Sequence, residues 1–226
     1  MKNILLINLK KEKMKIDSII SSLGKKASNL VRSNSSLKWC NGDRDKCKTL
    51  FIEIFKAVDK TITEFQYLEE YDEVVNWMTD TKGKGLLLMG GCGKGKSIIA
   101  TGVIPVLLKI ATNCEVRPIS AEELGKQCEP TIPTMPSKPI NLDYLLATGY
   151  PIIDDMGAEA QIYYQGDKQE CVNLIIDAAE RRIRPLFITT NLNEEQIYER
   201  YGARTNDRLS RLCEVIEFEG ADSLRK

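Results

Sequence analysis

Eight residues near the middle of the chain, Gly90-Gly91-Cys92-Gly93-Lys94-Gly95-Lys96-Ser97, spell out the pattern G-x-x-x-x-G-K-S. Glycines at this spacing let successive backbone N–H groups turn inward around an oxyanion. A helix that starts where the loop ends, here with Ile98, aims its positive pole at the same point. Lys96 is then placed to reach the β- and γ-phosphates of a nucleotide, and the Ser97 hydroxyl to hold Mg²⁺. Farther on, Tyr150-Pro151-Ile152-Ile153-Asp154-Asp155 is an apolar run that ends in two carboxylates. A parallel strand buried on both faces reads as continuously apolar, and its C-terminal end opens at the ligand crevice. That position suits Asp154 to hold Mg²⁺ through water and Asp155 to orient and polarise an attacking water. A third apolar run, Pro185-Leu186-Phe187-Ile188-Thr189-Thr190-Asn191, also ends in polar residues, and Asn191 is placed to touch the γ-phosphate or the lytic water.

These groups converge only if the intervening elements bring them to one edge. The run 86–89 predicts a strand, and 98–110 a helix bent by Gly102 and Pro105. Residues 114–119 read as a strand, and Ser120 with Glu123 forms a capping box for a helix over 121–128. Pro130, Pro133, Pro136 and Pro139 exclude regular structure. That loop is either a connector or a contact surface for DNA or a neighbour. Val172, Ile175, Ile176, Ala179 and Ile183 give a helical stripe over 169–183. Asn193-Glu194-Glu195 opens a short helix, 202–212 forms another, and 215–218 closes the sheet. Arg204, Arg208 and Arg211 share one face of the 202–212 helix, where the ordinary role of such a row is pairing with acids. Before the glycine loop, Leu50, Ile54, Val58 and Phe51, Phe55 mark a leading helix, and 71–78 a second. Tyr71 and Trp77 in that second helix either belong to the core or pack on a nucleotide base. Strands alternating with helices specify an α/β fold around a parallel sheet.

At 226 residues, 42% hydrophobic and 28% charged, the chain accommodates one full domain and an appendage. Residues 50–226 read as the catalytic domain. Residues 1–49 are Lys-, Ser- and Asn-rich, with one stripe at Ile16, Ile19, Ile20 and Leu23, and read as a partly ordered tail or a segment that docks on a partner. Lys+Arg and Asp+Glu are equal at 32 each, which excludes a global field for nucleic acid or acidic lipid and leaves only a local patch for DNA. The seven cysteines are scattered and there is no histidine, so reduced thiols are expected rather than disulfides or a zinc site. Ile4-Leu5-Leu6-Ile7 is too short for a signal sequence and no apolar run spans a membrane, which points to the cytoplasm.

Four segments together resemble the AAA+ ATPases of the DnaC-type helicase loader and IstB-type transposition helper group, relatives of the replication initiator DnaA. They are the glycine loop, Ile152-Ile153-Asp154-Asp155-Met156-Gly157, Ile188-Thr189-Thr190-Asn191-Leu192, and Gly202-Ala203-Arg204-Thr205-Asn206-Asp207-Arg208-Leu209. The resemblance covers about two thirds of the chain. It implies a P-loop sheet of order 5-1-4-3-2 sandwiched by helices, with a small helical N-terminal appendage and no large lid. It also implies ATP and Mg²⁺ as cofactors, and an ATP-dependent oligomer that works with a replicative helicase and single-stranded DNA. Within that family's pattern Arg208 corresponds to the arginine finger offered to the next subunit and Arg225 to a sensor II arginine. Two features depart from the pattern. Asp155 stands where the family usually has glutamate, and residues 1–49 carry no family motif. A transposition helper is the alternative within the same fold, and the short acid at Asp155 leaves open a weakly hydrolysing, nucleotide-gated module that binds DNA or protein; a P-loop kinase is disfavoured by Thr189-Thr190-Asn191 and the arginine pattern.

Overall fold

The computed structural model describes residues 35–60, 65–128, 149–164 and 167–218. The stripe at 16–23, the proline-rich loop at 130–139 and Arg225 lie outside the described residues. The chain divides into two units, Met1–Ser33 and Asn34–Lys226, and the second is described here.

Helix α1, Arg44–Val58, starts at Asp43, whose carboxylate accepts from the Lys46 N–H at 3.2 Å. It runs through the 49/50 junction, so residues 39–49 belong physically to the larger unit: Trp39 and Cys47 are buried with Phe51 and Phe55. Helix α2, Tyr71–Thr79, leads into β1, Gly85–Gly90. Helix α3 follows the glycine loop as Lys96–Ile98, a π-helical turn at Ile99–Val103, and Ile104–Thr112. Gly102 lies inside that π turn and Pro105 just after it. Pro105 has no N–H to give to the carbonyl one turn back, and the helix widens just ahead of it.

Strand β2 is Ile119–Ser120 and α4 is Ala121–Cys128, capped as expected by Ser120 Oγ, which accepts from Glu123 N–H at 3.1 Å. The strand expected over 114–119 shrinks to these two residues. It is an edge strand that touches β3, Ile152–Met156, at only two positions, and Pro118 has no donor to extend the ladder. An antiparallel hairpin, β4 Ile162–Tyr164 and β5 Asp167–Gln169, then precedes α5, Cys171–Arg182. The sequence reading lacked this hairpin. Strand β6, Phe187–Thr190, α6, Glu194–Tyr201, α7, Ala203–Leu212, and β7, Cys213–Phe218, complete the unit. Helix α6 begins with a reciprocal capping box between Asn193 and Gln196.

Strands β2, β3, β6, β1 and β7 form one sheet in that spatial order, and every pairing is parallel. Counted along the chain these five strands read 2-3-4-1-5, the P-loop order 5-1-4-3-2 taken from the other edge. Alternate residues of β1 face the two halves of the core. Leu86 and Leu88 pack with α1, α2 and α3, while Leu87 and Met89 pack with α4, α5, α6 and α7. With both faces covered, the strands can be apolar throughout, and their C-terminal ends share one edge with the glycine loop.

Candidate functional site

The loop from Gly90 to Ser97 leaves β1 at that edge and is backed by the two leading helices. Gly95 sits at φ +82°, and a β-carbon there would stand 2.7 Å from Tyr71 Oη and 3.0 Å from Phe55 Cζ. Only glycine fits, because both the backbone conformation and the close approach exclude a side chain. The Tyr71 hydroxyl donates to the Lys94 carbonyl at 3.0 Å, and burial holds its pKa above the ordinary tyrosine value, keeping it a donor. Tyr71 is ringed by Phe51, Phe55, Phe65 and Phe218. Trp77 packs on Trp39 and Phe187 and donates to the Lys84 carbonyl at 3.0 Å. Both aromatics are therefore core residues, and Tyr71 acts on the loop from behind rather than on a base.

Lys96 is 5% exposed and donates to the carbonyls of Gly90 and Gly91, each at 2.7 Å, and to Asn191 Oδ1 at 3.0 Å. Lys94 is also buried, whereas Gly91 and Cys92 are exposed, Cys92 as a free thiol. Gly93, Ser97 and Ile98 are half-buried, and the Ser97 carbonyl accepts from the Thr101 hydroxyl at 2.6 Å.

The two aspartates sit in a β-bulge. Ile153 pairs with Ile188, but Met156 pairs with Thr190, so β3 has one residue more than β6 across this interval. A bulge bends the strand and re-aims its side chains. Here Asp155 takes the left-handed conformation, φ +57°, which aspartate tolerates better than most residues. Thr189 Oγ1 donates to Asp154 Oδ1 at 2.6 Å and accepts from the Asp155 N–H at 2.9 Å. The Asn191 amide nitrogen faces Asp155 Oδ1 at 3.5 Å while its oxygen accepts from Lys96. One exposed amide thus spans the glycine loop and the acidic strand end, two features far apart in the chain.

Arg208 lies elsewhere, between α7 and α5. It is 7% exposed, with its guanidinium paired to Asp177 and Glu180 of its own chain. Arg211 pairs with Glu180 at 2.8 Å and with Asp207 at 2.7 Å, whereas Arg204 is exposed.

Sequence reasoning missed a buried cluster immediately after the acidic strand. Arg200 donates to the carbonyls of Gly157 and Glu159 and to both carboxylate oxygens of Glu170, at 3.2 and 3.1 Å. Glu159 accepts from Tyr201 Oη at 2.5 Å and from the Gly157 N–H at 2.8 Å. Burial first, and then that hydrogen bond, raises the Tyr201 pKa. The cluster ties the turn after β3 and the approach to α5 to the end of α6. Thr189 and Thr190 of β6 entered the sequence reading only as part of a motif, and their bonding roles were missed although the signal was present. Hydroxyls inside an otherwise apolar buried strand require partners.

No family model and no curated protein matches the sequence. Solved structures do match. DnaI aligns at a TM-score of 0.55 and 20% identity over 74% of this chain and 94% of its own. The DnaC helicase loader aligns at 0.56 and 17% over 73% and 98%. The described chain thus has the fold of DnaI and the DnaC helicase loader.

Proposed function

We propose that this protein binds and hydrolyses ATP and acts as a DNA-replication helicase loader of the DnaC type, in the cytoplasm. One observation carries the proposal: Asn191 spans Lys96 and Asp155 at the edge where the glycine loop ends. In this reading the N–H groups of residues 90–98 cradle the phosphates. Lys96 exchanges its loop carbonyls for β- and γ-phosphate oxygens, a gain because the new partners are charged. Asp155 orients the attacking water, and Asn191 fixes Asp155 relative to Lys96.

The donor set suits Mg²⁺. The Ser97 hydroxyl and the Asp154 carboxylate are hard oxygen donors. Among the described residues no group of three or more His, Cys, Asp or Glu forms a metal cage, and Mg²⁺ held by a carboxylate and phosphates requires none. When bound, the ion would neutralise phosphate charge. Arg208, released from Asp177 and Glu180, would serve the pocket of a neighbouring subunit, and Arg225 its own.

Self-association, single-stranded DNA and a replicative helicase are the partners this reading implies, with the segment ahead of α1 as the helicase-capturing part. No helix among the described residues is long and apolar enough to cross a membrane. The test is ATP turnover by the full chain, alone and with single-stranded DNA and a candidate hexameric helicase. Turnover that rises with both is the expected result. Absence of nucleotide binding overturns the proposal.

A further inference from the structure

Thr189 is fully buried, yet its hydroxyl is the only side-chain group bonded to both members of the aspartate pair among the described hydrogen bonds. A hydroxyl has a single proton. Here that proton goes to Asp154 Oδ1 at 2.6 Å, so the Asp155 N–H, at 2.9 Å, finds a lone pair. The two bonds have different consequences. The first fixes the rotation of the Asp154 carboxylate and occupies one of its oxygens. The second gives a partner to an N–H that the bulge has taken out of the ladder between β3 and β6.

We infer that Thr189 is a positioning residue that acts through Asp154 and Asp155: it orients the Asp154 carboxylate for a divalent cation and holds the bulge that presents Asp155. The inference rests on the ATPase reading above. The neighbouring residue supplies an internal control. Thr190 is equally buried and also makes two hydrogen bonds, to the Met156 carbonyl at 2.6 Å and from the Leu192 N–H at 3.1 Å. Both of its partners are backbone groups, so Thr190 stitches β3 to β6 without touching a carboxylate.

The experiment compares Thr189→Val, Thr189→Ser and Thr190→Val in the full chain, titrating a non-hydrolysable ATP analogue by calorimetry with Mg²⁺ and with chelator. Valine keeps the shape and removes the hydroxyl; serine keeps the hydroxyl. A lost hydrogen bond to a charged group corresponds to about a 10- to 100-fold change. The gain in affinity that Mg²⁺ confers is therefore expected to shrink by about tenfold in Thr189→Val, with binding in chelator changed by less than about threefold. Thr189→Ser and Thr190→Val are expected to keep the wild-type gain. Adding Thr189→Val to Asp154→Asn is expected to leave the already reduced gain unchanged, since both changes act on the same carboxylate. If Thr189→Val does not fold, Thr189→Ala takes its place. A wild-type Mg²⁺ gain in Thr189→Val, or an equal loss in Thr189→Ser or Thr190→Val, overturns the inference and leaves the ATPase reading standing. A wild-type chain that binds no nucleotide overturns both.

Discussion

Lys96 is a buried cation and Arg200 a half-buried one, its side chain 27% exposed, and the hydrogen bonds described for them differ in kind. Among the described hydrogen bonds, Lys96 donates to two loop carbonyls and an amide oxygen, neutral acceptors on a loop and an exposed side chain. Arg200 holds two carbonyls and the carboxylate of Glu170, with Glu159 close by, and both acids are buried. Neutral acceptors can be exchanged for phosphate oxygens at a net gain. Buried carboxylates cannot be released without leaving charge unpaired in a medium that solvates it poorly. In the proposed function the first cluster changes partners, whereas the second stays closed. They meet at the segment 155–157, since Asp155 belongs to the first and the Gly157 carbonyl to the second. A nucleotide-dependent change at the loop would therefore act against a fixed anchor.

The sharpest way to break this contrast is to remove Arg200. Arg200→Ala is expected to cost about 3–5 kcal/mol of folding stability, the range for a buried pair that loses one partner. Nucleotide affinity of the fraction that remains folded should change little. Chemical denaturation and calorimetry test both halves, and a stability loss under about 1 kcal/mol would place Arg200 among ordinary surface pairs.

Lys96→Ala is expected to show the opposite pattern. ATP affinity should fall on the order of 100-fold as the loop loses its charged bonds to phosphate. Folding stability should hardly move, because the acceptors left behind are loop carbonyls that water can reach. Unchanged affinity would sink the glycine-loop assignment itself.

These two sites were unequally legible in the sequence. The glycine loop is contiguous, so its chemistry could be read from residue types and spacing alone, and its strand and helix followed from the flanking apolar pattern. The sheet order came from the family resemblance, and the parallel pairing agrees with it. The Arg200 cluster joins residues 157, 159, 170, 200 and 201, which share no periodicity, and only the folded chain brings them together. The β4/β5 hairpin was missed because two three-residue strands give too short an alternation to count. Tyr71 and Trp77 were ambiguous because a buried aromatic and a base-stacking aromatic look alike in a helix; packing against Phe51, Phe55, Trp39 and Phe187 decides for the core. The edge strand was overestimated because Pro118 has no N–H for the ladder and the strand has a single neighbour to pair with.

Arg208 crosses the comparison. Its partners are of the Arg200 kind, carboxylates, and its own side chain is the more buried, 9% exposed against 27%, whereas its proposed role is of the Lys96 kind, to change partners on assembly. Its partners are more exposed than those of Arg200: the Asp177 side chain is 34% exposed and that of Glu180 26%, against 0% for Glu159 and 5% for Glu170. That exposure lowers the cost of release. Arg208→Ala is expected to bind ATP normally and to lose about tenfold of the turnover that rises with protein concentration, less than arginine fingers supply in efficient enzymes. Mixing Arg208→Ala with Lys96→Ala, each impaired alone, should raise activity above the sum of the two at interfaces that pair an intact pocket with an intact arginine. No recovery across mixing ratios, with assembly confirmed, would return Arg208 to the class of Arg200.

The smallest expected effect is the most local one, and it concerns the acid itself. A glutamate in place of Asp155 would supply the residue usual in the family that the sequence resembles, and on arm length alone turnover should rise. The bulge argues the other way. β3 already carries one residue more than β6, and Asp155 turns to φ +57° with its carboxylate facing the Asn191 amide at 3.5 Å. Aspartate tolerates that backbone better than glutamate, so Asp155→Glu is expected to lose up to about 1 kcal/mol of stability. The extra methylene would carry the carboxylate past the amide that holds it, so turnover should fall about threefold while ATP affinity stays within the same factor. Single-turnover hydrolysis separates the chemical step from binding and product release. A fall with affinity preserved would mean that the bulge and the short acid are matched to each other. A rise would show that the aspartate acts as a brake, and that the bulge serves the Thr189 contact rather than the reach of Asp155.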